Sequence, residues 1–141
     1  RYTWDLDAID RAFEASGAGV LVLANPGNPT GRVFDATELA AAAELAARHG
    51  ARIFSDEIHA PLTLGGRRHT PLASVSPLAA QVAVTATSAS KAWNLPGLKC
   101  AQLVLTADPD REVWNRISYA TSTEALREAM KRMAVFTAGL R

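Results

Sequence analysis

With 141 residues, 48% of them hydrophobic and 21% charged, the chain is long enough for one domain with a real core and reads as soluble and globular. Fifteen basic residues against fourteen acidic ones leave a formal net charge of +1, scattered rather than striped, which gives no electrostatic case for nucleic acid or an anionic membrane. No run approaches the roughly 18 apolar residues of a membrane span, and a single cysteine, Cys100, excludes an internal disulfide and fits a reducing, cytoplasmic setting.

The chain opens Arg1-Tyr2-Thr3-Trp4-Asp5, with neither a signal pattern nor an initiator Met, and reads as the interior of a longer chain. Asp5 to Ser16 predicts a short helix: Leu6, Ile9 and Phe13 share a face, and Gly17 is a natural stop. The apolar run Val20–Ala24 predicts a strand covered on both faces. Asn25 to Gly31, Asn-Pro-Gly-Asn-Pro-Thr-Gly, is turn chemistry throughout and must be loop. Asp35 with Glu38 forms a capping-box pattern, opening a helix that runs to His49 with Leu39, Ala42, Ala43 and Ala46 on one face. Ala51 to Ser55 predicts the next strand, and Pro61 to Ser76 an irregular stretch. Val82 to Ala86 predicts a third strand, followed by the polar run Thr87-Ser88-Ala89-Ser90-Lys91. Cys100 to Thr106 predicts a fourth strand with Cys100 as a small core residue, and helices follow from Asp108 to about Ser118 and from Thr123 to about Ala138.

That order predicts an α/β fold: a mainly parallel sheet with helices on both faces. The link between the third and fourth strands is short and carries no clear helix, so the fourth can run antiparallel. There is no internal repeat or linker, and residues 1–141 read as a single segment.

Ligands of open α/β sheets bind beyond the carboxyl ends of the strands. Here the first strand is followed by Asn25 and Asn28, the second by Asp56, Glu57 and His59, and the third by Ser88, Ser90 and Lys91. Neighbouring parallel strands would bring these groups to one site. Each has an ordinary use as well: the Asn-Pro segment as a plain loop, the acids as turn caps, the histidine as packing, Lys91 as a solvated surface cation. Lysines are scarce, however, with Lys91, Lys99 and Lys131 set against twelve arginines. A partly desolvated lysine can attack a carbonyl to make an imine. An aldehyde cofactor such as pyridoxal 5′-phosphate (PLP) needs that lysine, a carboxylate for its pyridine nitrogen, a donor at its ring oxygen, and hydroxyls with a cation around its phosphate.

Asn28-Pro29-Thr30-Gly31, Ser55-Asp56-Glu57-Ile58-His59 and the run from Ser88 through Lys91 to Leu98 (Ser-Ala-Ser-Lys-Ala-Trp-Asn-Leu-Pro-Gly-Leu) together resemble the fold-type I PLP enzymes of the class I/II aminotransferase superfamily. The likeness extends from about Tyr2 to Arg116. It implies a three-layer αβα large domain, of which this chain is the central part, with the preceding portion and the C-terminal small domain absent. It implies Lys91 as the Schiff-base lysine and proton carrier, Asp56 at the pyridinium nitrogen, and Asn28 at the ring oxygen. Ser88 and Ser90 would lie at the phosphate, with Lys99 where many members place a phosphate-binding arginine. Trp93 would pack beside the lysine. The family active site lies at a dimer interface, so a homodimer is implied for the full-length protein and little or no activity for this segment alone.

His59 narrows the likeness, because ordinary aminotransferases usually carry tyrosine there. Ser-Asp-Glu-Ile-His with Lys-Ala-Trp-Asn-Leu-Pro-Gly-Leu is more similar to the MalY/PatB branch of cystathionine β-lyases and C–S lyases, with His59 beside the ring oxygen. A sulfur amino acid would then be split to pyruvate, ammonia and a thiol. A true aminotransferase and a PLP-sensing, aminotransferase-like regulatory module share the same contacts and remain alternatives, as does an α/β domain without a cofactor.

Overall fold

The computed structural model describes residues 3–96 and 101–105. They form helix α1 (Leu6–Ser16), strand β1 (Val20–Ala24), helix α2 (Ala36–Arg48), strand β2 (Arg52–Asp56), 3₁₀ turns at Ala60–Leu62 and Leu72–Ser74, helix α3 (Pro77–Val82), strand β3 (Ala83–Ser88), the single turn α4 (Ala89–Ala92) and strand β4 (Ala101–Leu105). The four strands make one sheet in the order β1-β2-β3-β4. The first three are parallel and β4 is antiparallel to β3. The fold is α/β as expected, and the short link before β4 has the geometric result anticipated for it.

The helix boundaries follow from local chemistry. Asp5 caps α1 by accepting the Ala8 N–H at 2.8 Å, and Gly17 ends it at φ 61°, a left-handed conformation costly for any residue with a Cβ. Asp35 and Glu38 satisfy each other's backbone N–H groups at 3.0 and 3.1 Å, so the capping box forms as its spacing requires. Glu38 also pairs with Arg32, whose guanidinium lies 4.5 Å over the Phe34 ring. Phe34 in turn stacks on Trp4 with 4.0 Å between ring centres.

One face of the sheet is covered by helices. Leu39, Ala42, Ala43, Leu45 and Ala46 of α2 are buried with Phe13, Leu23, Ile53, Leu72, Ala79 and Ala83 in one core. The small alanines let α2 approach the sheet closely, while Ile53 and Leu39, both fully buried, fill the centre. The opposite face is more open. Val22 is 72% exposed, so β1 is not covered on both faces as its apolar run suggested. An uninterrupted apolar strand is compatible with a second covering layer, and that layer does not lie among the described residues.

Three further boundaries differ from expectation. Strand β2 is shifted by one residue, to Arg52–Asp56. Val82 belongs to α3, not to the third strand; Ser76 accepts the Ala79 N–H at 3.0 Å and Pro77 opens the helix, a start signal inside what reads as irregular sequence. Strand β3 runs on through Thr87 and Ser88 because these polar residues pair with Gln102 and Ala101 of β4. The helices expected after Asp108 and Thr123, and the placement of Cys100 in the core, fall outside the described residues. No helix among the described residues is long and apolar enough to cross a membrane.

Asp10 of α1 links to the end of α2 through His49 Nε2 at 2.6 Å and Arg48 at 3.4 Å. The histidine contact, with help from Arg48, holds its carboxyl below the ordinary aspartate range. A depressed carboxyl stabilises the fold above its unfolded pKa, and that contribution disappears as pH falls through the lower folded value. Denaturation midpoints of the wild type and Asp10→Asn should therefore differ at pH 6 and converge as the pH drops below about 4.

Candidate active site

The register of the parallel strands brings three strand ends to one edge. Ala24 partners Asp56, and Asp56 partners Ala86. The ladder continues one step further, with the Asn25 N–H donating to the Asp56 carbonyl at 3.0 Å and the Glu57 N–H to the Ala86 carbonyl at 2.8 Å. The condition for convergence is met, since the strands are neighbours and parallel.

Alternation then divides the polar residues between the two faces, because successive side chains of a strand point opposite ways. Asn25 and Glu57 fall on the helix-covered face, where they are 0% and 4% exposed. Asp56 falls on the open face and is half-buried, with its Oδ1 accepting the Ile58 N–H at 3.1 Å. Ser88, two residues beyond Ala86, shares the Asp56 face and lies about 7 Å further along β3. Its hydroxyl caps α4, accepting the Ser90 N–H at 3.1 Å and donating to the Ser90 hydroxyl at 2.9 Å. Lys91 follows on that turn with an exposed side chain, and α4 packs against the 3₁₀ turn at Ala60–Leu62. Trp93 is 64% exposed and so is not buried beside the lysine among the described residues.

Next to this edge is a cavity of 730 Å³ between two loops. One wall is residues 26–33, including Asn28 and Arg32; the other carries His59, Thr63 and Arg67. The first wall folds tightly: the Gly27 N–H donates to the Arg32 carbonyl, and the Gly31 N–H to the Gly27 carbonyl, both at 2.7 Å. A Cβ at Gly27 would stand 2.8 Å from the Thr30 hydroxyl, so only glycine fits that turn without a shift. Asn28 and His59 thus meet at the cavity, while Asp56, Ser88, Ser90 and Lys91 lie outside its lining, on the strand edge and the turn after it. Asp56 and His59, three residues apart, join the two groups. Lys99 lies outside the described residues.

The residues that hold these walls are Asn25 and Glu57, which sequence reading placed in the converging polar set and which turn to the covered face instead, and His69, which it did not single out. Asn25 accepts the Phe34 N–H at 3.1 Å and donates to the Thr70 carbonyl at 3.3 Å. It closes the 26–33 wall and ties it to the second loop. Glu57 accepts from Ser55 and from the Leu72 N–H, both at 3.0 Å, and from His69 Nε2 at 2.8 Å. A signal for Glu57 existed: of two adjacent polar residues ending a strand, one must face the helices. His69 had none, since it sits in a stretch without periodicity.

The Aminotransferase class I and II family matches residues 1–139. The chain belongs to that family. It is 44% identical over 120 residues to the cystathionine β-lyase of Corynebacterium glutamicum, covering 85% of this chain and 32% of that protein. It is 36% identical over 110 residues to the cystathionine β-lyase PatB of Bacillus subtilis, covering 78% of this chain and 28% of PatB. The fold matches the PLP-bound C–S lyase of Staphylococcus hominis with a TM-score of 0.72 at 31% identity, covering 77% of this chain and 28% of that one. The chain therefore spans about a third of the length of the curated relatives it matches, and its mixed sheet has the fold of fold-type I PLP enzymes.

Replacing Asn25 with alanine leaves the buried Phe34 N–H and Thr70 carbonyl unpaired. The expected loss is about 1–3 kcal/mol for each group left without a partner, read as a lower denaturation midpoint at unchanged slope.

Proposed function

We propose that the protein carrying this chain is a PLP-dependent C–S β-lyase of the cystathionine β-lyase type, acting on a sulfur amino acid. The observation that carries the reading is the in-register edge of β2 and β3. It sets Asp56 and Ser88 on the same open face, with Lys91 on the turn that follows and Asn28 and His59 on the adjoining cavity.

The residues present fit the cofactor by their chemistry. A carboxylate, a pair of mutually bonded hydroxyls and an amine lie along one edge, and an amide and an imidazole line a cavity of the volume usual for small-molecule sites. When bound, PLP supplies an aldehyde for capturing the substrate amine and an electron-withdrawing ring that stabilises negative charge at the substrate α-carbon. Asp56 would keep the ring nitrogen protonated through its negative charge. The Asn28 amide would donate to the ring oxygen. Ser88 and Ser90 would donate to the phosphate, with Lys99 adding charge but not the bidentate geometry of an arginine. Lys91 would hold the group covalently and take the proton from the substrate α-carbon. His59 would occupy the position beside the ring oxygen and is assigned no proton transfer. Loss of the β-thiol, with water consumed, yields pyruvate, ammonia and a thiol. We extend the reading to a homodimer as the working form and to a cytoplasmic location.

The full-length protein given cystathionine should release pyruvate together with a thiol. Amino transfer to a 2-oxo acid without pyruvate would overturn the lyase reading in favour of an aminotransferase. Lys91→Ala should abolish the borohydride-sensitive absorbance of the PLP-loaded protein and lower turnover by on the order of 10²–10⁴-fold. Unchanged PLP retention and turnover in that variant would sink the assignment of Lys91.

A further inference from the structure

In the cavity's second wall, residues 58–68, the 3₁₀ turn leans on α4, but the stretch after it has little packing to hold it. Leu62 is 44% exposed and Leu64 83%, and Gly65 and Gly66 both take positive φ. Such a segment gains little from apolar burial and should be mobile unless its ends are fixed. Its ends are fixed on the covered side of the sheet. Glu57, at the β2 end, reaches His69 at 2.8 Å and the Leu72 N–H at 3.0 Å. The Glu57 side chain is 6% exposed and that of His69 11%. His69 Nδ1 is buried with no hydrogen-bond partner among the described residues, so the carboxylate of Glu57 is what orients the ring. Ser55 completes the coordination of Glu57, and Leu72 itself is fully buried. A hydrogen bond to a charged acceptor in so dry a place is stronger than one at the surface, and breaking it strands a buried charge.

We propose that the Glu57–His69 pair is a positioning clamp that closes residues 58–68 into a fixed loop and sets Arg67 against the amino-acid substrate. The proposal rests on the lyase reading for the identity of that substrate, but the clamp is a statement about this chain's own loop. Neither clamp residue lines the cavity. Both act from behind it, through the backbone they bracket. Glu57 adjoins Asp56 in sequence yet faces the other side of the sheet, so the clamp sets the loop without touching Asp56, Ser88, Ser90 or Lys91. A clamp of this kind should show in substrate affinity more than in the chemical step, because the group it places lies in the wall rather than on the strand edge.

The test uses the full-length holoprotein with Glu57→Ala, His69→Ala, the double variant and the conservative Glu57→Gln. The expected result is a KM for cystathionine raised on the order of tenfold or more by either alanine, with kcat within about twofold of wild type. The PLP absorbance band should be unchanged, the double variant no worse than the singles, and Glu57→Gln partly restored. Trypsin should cut after Arg67 and Arg68 faster in the alanine variants than in wild type. A lower melting temperature with unchanged KM and unchanged tryptic rate would reduce the pair to a structural pin and overturn the proposal. Loss of the PLP band in the single variants would overturn it too, by moving the pair's effect to cofactor retention. A wild type with neither PLP band nor turnover would defeat the lyase reading instead; the tryptic rates would then still decide the clamp, faster cutting sustaining it and equal cutting sinking it.

Discussion

A strand can send only every second side chain to a given face, and that constraint organises this molecule's functional edge. Where β1, β2 and β3 end side by side, Asn25 and Glu57 go down into the helix-covered core, and Asp56 and Ser88 go up onto the open face. One register shift would exchange the two sets. The core would then receive Asp56 without partners, and the open face would lose its carboxylate.

The downward set explains how an irregular region becomes a shaped one. Residues 26–33 and 58–68 together supply the cavity walls, and neither stretch contains a regular element longer than one turn. Each is held at its base by one buried polar side chain, Asn25 for the first and Glu57 for the second, with Asn25 also reaching Thr70 of the second loop. Burying an amide and a carboxylate costs free energy unless every oxygen and N–H finds a partner. Asn25 has both its amide groups bonded, and Glu57 has three donors on its two oxygens. The stability of the sheet edge and the shape of the cavity are thus one arrangement.

The upward set stays off the core. Asp56 accepts the neighbouring Ile58 N–H, and the Ser88 and Ser90 hydroxyls bond each other at the start of α4. Lys91 is exposed on a one-turn helix. Its helix leans on the 3₁₀ turn that follows His59, which brings the strand edge and the cavity into one neighbourhood.

Much of this was legible in the sequence. Caps and periodicity located α1 and α2 to within a residue or so, because the signals Asp5, Gly17, Asp35 and Glu38 are local and act on the backbone beside them. The motifs around Asn28, Asp56 and Lys91 gave the family, because a cofactor of fixed shape demands fixed residue types at fixed strand ends. What the chain alone left open was which face each polar residue takes, and whether a run such as Thr87-Ser88 is loop or strand. Those outcomes depend on pairing with strands distant in sequence, as with Ser88 and Ala101. The meeting of Glu57 with His69 is of the same kind: eleven residues of irregular chain lie between them, no period links them, and the burial of Leu72 and the tie from Asn25 to Thr70 hold the imidazole near the carboxylate.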